Sequence, residues 1–163
     1  MGFSKKLYFY AIKKNKTICI MELGNFTFSM IKPTAFHNKH AGEIITMIYE
    51  QGFHIIAMKM TRLSYKEAQH FYKIHADRSF YTELCKFMSS GPIIALILTK
   101  KNAVEDYRKL IGSTDPSQAE DGTIRNVFGL NIQQNAVHGS DSDENALLEA
   151  RFFFSELEIY KNA

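Results

Sequence analysis

An α+β fold, an antiparallel sheet covered by helices, is predicted by three features of this sequence. From residue 26 onward, short runs with the period of a strand alternate with segments of helical period, and no stretch repeats. The run "GPIIALIL" is continuously apolar, the character of a strand buried on both faces at the centre of a sheet. At 163 residues, with 45% hydrophobic and 23% charged side chains, the chain has the size and composition of one ordinary globular domain.

The elements follow in order. "FTFSMI" from Phe26 alternates apolar and small polar residues, as a half-buried strand does, and Pro33 ends it. "AGEIITMIYEQGF" places Ile44, Ile45 and Ile48 on one helical face, with Gly52 as the stop. "FHIIAMKMTRL" reads as a second strand. Ser64 and Glu67 of "SYKE" form a capping box that opens a second helix. After a break at Asp77 to Ser79, "FYTELCKFM" is helical, and "SSGPIIALILTK" supplies the central strand. The helix "AVEDYRKLIG" ends at Gly112. Residues 113–126, "STDPSQAEDGTIRN", read as a long ordered loop. "FGLNIQQNAVHG" can hold the last strand, and "SDENALLEARFFF" the last helix, with Asp141 as a candidate cap and acids in its first turn. Without the extra helices the order is βαββαβ, the split-βαβ or ferredoxin-like plan. A small sheet of this kind, with an exposed edge and one open face, favours assembly.

Bulk chemistry excludes several classes. A formal net charge of +3, with cations scattered among acids, gives no nucleic-acid stripe. Cys19 and Cys85 lie far apart without metal-binding spacing, which points to neither zinc nor a disulfide framework and fits a reducing cytoplasm. No apolar run approaches the roughly 20 residues of a membrane span. "LYFYAI" is short for a leader core, and Lys13, Lys14 and Lys16 follow it without a cleavage site. Residues 1–22 therefore read as an N-terminal arm, disordered or a misassigned start with initiation at Met21, ahead of a domain at 23–163.

The usual phosphate-loop, dinucleotide, hydrolase-elbow and zincin motifs are absent from the sequence. What remains suits polyphosphate: Lys32, Arg108, Thr114 and Arg125 fall at element ends or in the long loop, and guanidinium forks match phosphate oxygens. His138 follows a strand in "NAVHGSDS", between an apolar run and a cluster of small polar residues. Taken singly, His138 reads as a satisfied structural histidine, Phe80 as core, and Arg108 as a solvated helix end.

Together these strings carry a resemblance. "FTFSMIKP", "GEII", "FYKIHADRSFY", "SGPIIALIL", "GTIRNVFG" and "NAVHGSDS" followed by Glu149 resemble, in this order, the nucleoside diphosphate kinase family, and the family pattern N-x-x-H-G-S-D is matched without a gap. The resemblance implies a ping-pong enzyme that moves the γ-phosphate of ATP or another nucleoside triphosphate onto His138 and then onto a nucleoside diphosphate. It implies that Glu149 and Ser140 orient His138, that Lys32 and Asn135 meet ribose hydroxyls and the transferring phosphate, and that Tyr72, Arg108, Thr114 and Arg125 grip phosphates, with His75 near them. It further implies that Phe80 stacks on the base with Ile132 opposite and Leu84 nearby, so that every base is accepted. Mg2+ would be carried mainly by nucleotide phosphates and water, with no metal site built from protein ligands. This chain departs from the family at Thr34-Ala35, where Asp-Gly or Asp-Ala is usual, at Ser79 in place of a proline, and at Glu120-Asp121-Gly122 in place of a small residue, Pro and Gly.

Two other readings compete. A regulatory nucleotide-binding module of the same fold with weak turnover would have shed at least one of the matched residues. A single-stranded nucleic-acid binder would interleave aromatic residues with a basic groove. The family forms homo-oligomers, and the short chain end after "IYKNA" favours a tetramer or dimer over a hexamer.

Overall fold

The computed structural model describes residues 23–160. The readings of residues 1–22, including Cys19 and a start at Met21, lie outside the described residues. Four antiparallel strands form one sheet in the order β2-β3-β1-β4, from β1 (Phe26–Ile31), β2 (His54–Thr61), β3 (Ile93–Thr99) and β4 (Val137–Gly139). The helices are α1 (Pro33–His37), α2 (Ala41–Glu50), α3 (Tyr65–Phe71), α4 (Tyr81–Met88), α5 (Ala103–Ile111), α6 (Ile124–Phe128) and α7 (Asp143–Phe153). This is the ferredoxin-like order expected from the sequence, with β3 central as its apolar run requires.

The expectation of a half-buried β1 is corrected, and the open part of a sheet face is confined to β2, where Met58 and Met60 stand exposed. Every residue of β1 is buried. On one face Phe26, Phe28 and Met30 pack with Ile93, Ala95 and Ile97 against Ala146, Ala150 and Phe153 of α7 and against α3 and α4. On the other, Ile31, Leu96 and Leu98 pack against Ile44 and Ile48 of α2 and Tyr107 and Ile111 of α5. Thr27 and Ser29, the polar half of the alternation, are thus buried under α5 rather than wet. Local pattern could not reveal this, because a second covering layer is a tertiary event.

The edge expectation concerns β2, which ends the sheet order and exposes Met58 and Met60 at 58% and 67%. Its bulge at Ile55/Ala57 leaves the Ile56 carbonyl to accept from Tyr160 N at 2.7 Å. Lys59 donates to the Phe153 carbonyl at 2.8 Å and pairs with Glu158, so the segment 153–160 is strapped to this edge.

Local signals fared unevenly. The capping box closes on both sides, Glu67 N to Ser64 Oγ at 3.2 Å and Ser64 N to Glu67 Oε2 at 2.7 Å. Gly112 ends α5 at φ +80°, where a Cβ would lie 2.4 Å from Thr123 Oγ1. Pro33 ends β1, as expected, but also opens α1 from its first turn, where its missing N–H costs nothing. The long loop is not all loop: it folds a 3-10 turn at Pro116–Gln118, capped by Asp115, and then α6. The last strand is only three residues, because Asn131 Oδ1 accepts from the Gln133 and Gln134 amides and curls 131–134 into a turn. Ser142, not Asp141, caps α7, accepting from Asn145 N at 3.1 Å, while Asp141 accepts from the Asn145 side chain at 2.6 Å.

Candidate active site

His138 lies on β4 opposite Met30 of β1, so its ring points to the sheet face covered by α3 and α7. It sits in a cup of aromatic rings, with centroids of Phe71, Phe28 and Tyr72 at 5.4, 6.0 and 6.2 Å. Glu149 of α7 accepts from His138 Nε2 at 2.9 Å through Oε1 and from Ser140 Oγ at 2.6 Å through Oε2. Ser140 is itself fixed, receiving Phe28 N at 3.2 Å. A carboxylate only accepts, so Nε2 carries the hydrogen and Nδ1 of the neutral ring keeps its lone pair. The triad therefore presents one defined nucleophilic nitrogen.

The chain approaches β4 through strained backbone. Ala136 has φ +67° and lies at the centre of a γ-turn closed by Val137 N to the Asn135 carbonyl at 2.8 Å. Such a conformation costs a residue with a Cβ about 1–2 kcal/mol. It is held by Lys32 N, which donates to the Ala136 carbonyl at 2.9 Å.

A second group lies beside this turn. Lys32 Nζ donates to Asn135 Oδ1 at 2.7 Å and to the Gln133 carbonyl at 3.4 Å, and Asn135 Nδ2 donates to the Thr114 carbonyl at 2.9 Å. Arg125 donates to the Gly112 carbonyl at 3.0 Å and the Val137 carbonyl at 3.3 Å, and its buried Nε has no hydrogen-bond partner among the described residues. Neither cation is in an ion pair among the described residues. Burial, and then the nearby Arg125 charge, hold Lys32 down to about 7. Burial, and secondarily Arg108, hold Arg125 down to about 10. Two buried cations facing neutral partners make a strong local demand for an anion.

Of the residues singled out in the sequence, His138, Glu149 and Ser140 bond directly, and Lys32, Asn135 and Thr114 form a second chain. Tyr72 is buried, with its hydroxyl unpartnered among the described residues and its ionisation pushed far up by burial and then by Glu149. His75 lies 6.5 Å from the Tyr72 ring, and its proton affinity is lowered by burial and then by His138. Phe80 is half exposed before α4, 5.6 Å from the His75 ring. Leu84 packs into the core beneath it, one turn on. Arg108 is exposed on α5, and Ile132 is exposed at the 131–134 turn. Sequence reasoning missed Gln133, whose contribution is a carbonyl, and the buried pair Ser29 and Tyr107. A serine midway along β1, one of its two polar residues, was the available signal.

An imidazole with one oriented nitrogen, together with two buried basic side chains that have no ion-pair partner among the described residues, on a ferredoxin-like sheet, suits phosphoryl chemistry. Comparison with known proteins is specific. The family model for nucleoside diphosphate kinase matches residues 25–159. The nucleoside diphosphate kinase of Flavobacterium psychrophilum is 56% identical over 136 residues, covering 83% of this chain and 98% of that protein. That of Persephonella marina is 48% identical, covering 82% and 95%. The crystal structure of the Aquifex aeolicus nucleoside diphosphate kinase superposes with a TM-score of 0.82 at 40% identity, over 83% of this chain and 98% of that one. This chain belongs to the nucleoside diphosphate kinase family.

Proposed function

We propose that the chain transfers the γ-phosphate of a nucleoside triphosphate to a nucleoside diphosphate through a phosphohistidine on His138. The observation that carries this reading is the Glu149 bond to Nε2, which leaves Nδ1 as the free nucleophile. In the first half-reaction Nδ1 attacks the γ-phosphorus, an N–P bond forms, and the bond from that phosphorus to the β,γ-bridging oxygen breaks, releasing the diphosphate. The second half-reaction reverses these bonds with a new diphosphate as acceptor. Glu149 stabilises the positive charge that grows on the ring as Nδ1 bonds to phosphorus. Because phosphoryl transfer leaves little covalent work for a protein, Lys32, Arg125 and Asn135 serve by positioning and charge, with Tyr72, Thr114, Arg108 and His75 around the phosphates. Phe80, half exposed, offers a ring for base stacking, with Ile132 on the far side and Leu84 as floor, an arrangement that reads any base.

The donor set agrees with a metal that travels with the nucleotide: no group of three or more His, Cys, Asp or Glu side chains that could hold a metal ion occurs among the described residues, and a hard cation seeks oxygen ligands such as phosphates and water. Mg2+ supplies charge neutralisation across the phosphates when bound, and Asp141, exposed on the turn after β4, is the carboxylate suited to meet its water shell. The exposed β2 edge with Met58 and Met60 supports a homo-oligomer, a dimer or tetramer. Among the described residues no helix is long and apolar enough to cross a membrane. Two distant cysteines without disulfide spacing support a reducing compartment, and we assign the protein to the cytoplasm on that ground. Incubation with ATP labelled at the γ-phosphate tests the reading. Acid-labile label on the wild type, absent from His138→Ala and chased off by any nucleoside diphosphate, is expected. Nucleotide binding without label would overturn it in favour of a regulatory module.

A further inference from the structure

Beneath the nucleophile strand lies a buried polar pair that the reaction scheme leaves unused. Ser29 of β1 and Tyr107 of α5 are both fully buried and share a hydrogen bond between their hydroxyls at 2.6 Å. Ser29 is the cross-strand neighbour of Gly139, the residue after His138. A Cβ built on Gly139 would lie 2.9 Å from Tyr107 Cδ1 and 3.0 Å from Cε1. The phenol ring therefore bears on the backbone of β4 with no room for a methyl group, from the face opposite the His138 ring.

β4 needs such support. It is three residues long, stands at the end of the sheet order and pairs with β1. A ladder that short fixes the height of a strand poorly, and the γ-turn at Ala136 loads it with strain at its entry. Tyr107 is locked: its ring meets Phe53 edge-on at 5.6 Å, and burial pushes its phenol up to about 12, so the hydroxyl keeps its proton in the neutral range. Arg125, which lies close enough to Tyr107 for its charge to be felt there, also donates to the Val137 carbonyl at 3.3 Å.

We propose that Tyr107 is a positioning residue for phosphoryl transfer, its ring on Gly139 and its hydroxyl on Ser29 together setting where the His138 imidazole stands relative to Glu149. The proposal rests on His138 as nucleophile. Three variants test it: Tyr107→Leu, Tyr107→Phe, and Tyr107→Phe combined with Ser29→Ala. The last removes both hydroxyls, so neither is left buried and unpaired. Readouts are thermal stability, kcat and nucleotide KM, and the rate at which phosphoramidate, a small donor with no base or ribose, phosphorylates His138.

Tyr107→Leu should lower kcat and the phosphoramidate rate by roughly tenfold to a hundredfold, the scale of a sub-ångström to ångström misplacement, with KM within about twofold of wild type. The combined variant should regain stability over Tyr107→Phe alone without regaining rate. If rate recovers together with stability, or if every folded variant keeps the wild-type phosphoramidate rate, Tyr107 is merely structural and the proposal fails. Should Tyr107→Leu not fold, the two Phe-containing variants decide by the same criterion. Failure of the wild type to label on His138 would instead overturn the phosphohistidine reading itself.

Discussion

Replacing Glu149 with Gln removes a charge while keeping a hydrogen-bond geometry. The Gln oxygen can still accept from His138 Nε2, and Ser140 can turn its hydroxyl to the Phe28 carbonyl, 3.3 Å away, while accepting from the new amide. What is lost is the attraction between the carboxylate and the positive charge that develops on the ring. A full charge pair at a separation of about 4 Å and an effective dielectric of about 20 is worth about 4 kcal/mol. With half a charge developed at the transition state, the loss is about 2 kcal/mol, or about thirtyfold in rate. Glu149→Ala also frees Nε2, so the ring can adopt the other tautomer or rotate, and a further factor of about ten follows. Rapid-quench measurement of His138 labelling from γ-labelled ATP reads the step directly. Equal losses in the two variants would mean that the orienting hydrogen bond contributes nothing beyond the charge. A Glu149→Gln rate within about twofold of wild type would refute the claim that the carboxylate senses the reaction.

Two further outcomes concern the site's framework. Lys32 holds its proton only up to about 7 in the folded chain, against an ordinary lysine value of 10.5. Between these values the unfolded state binds more protons, so stability should rise as pH is raised from about 7 towards 10, whereas the affinity of the free protein for a phosphate anion should fall. Denaturant titrations and anion binding across that range, repeated with Lys32→Met, check both signs, since the variant should lose both slopes. Gly139→Ala forces a methyl against the Tyr107 ring and should destabilise by about 1–3 kcal/mol. That is a drop in Tm on the order of 5 °C, and the penalty should shrink in the background of Tyr107→Leu, measured as a thermal double-mutant cycle.

The legible parts of this protein are those whose cause is local. Ser64 and Glu67 announce a helix start because their capping bonds span three residues. Gly52 and Gly112 mark stops because their φ values, +76° and +80°, disfavour a Cβ. The unbroken apolar run of β3 says that both of its faces are covered. Pro33 was half legible: a proline ends a strand and starts a helix equally well, and only the chain's direction after Lys32 chose both.

By itself, then, the sequence determined the order of the strands, the central strand and the candidate site, since His138 of "NAVHGSDS" and Glu149 stand eleven residues apart. Tertiary structure alone decided the rest. It buried Thr27 and Ser29, whose alternation with apolar residues promised a wet face, by laying α5 over them. It buried Lys32 and Arg125 together, 93 positions apart, with no ion-pair partner for either among the described residues. It set Tyr107 under Gly139, a contact no local pattern encodes. The physical reason is common to all three: burial and charge proximity belong to the packed assembly of distant segments, whereas propensity, caps and turns belong to the few residues that form them.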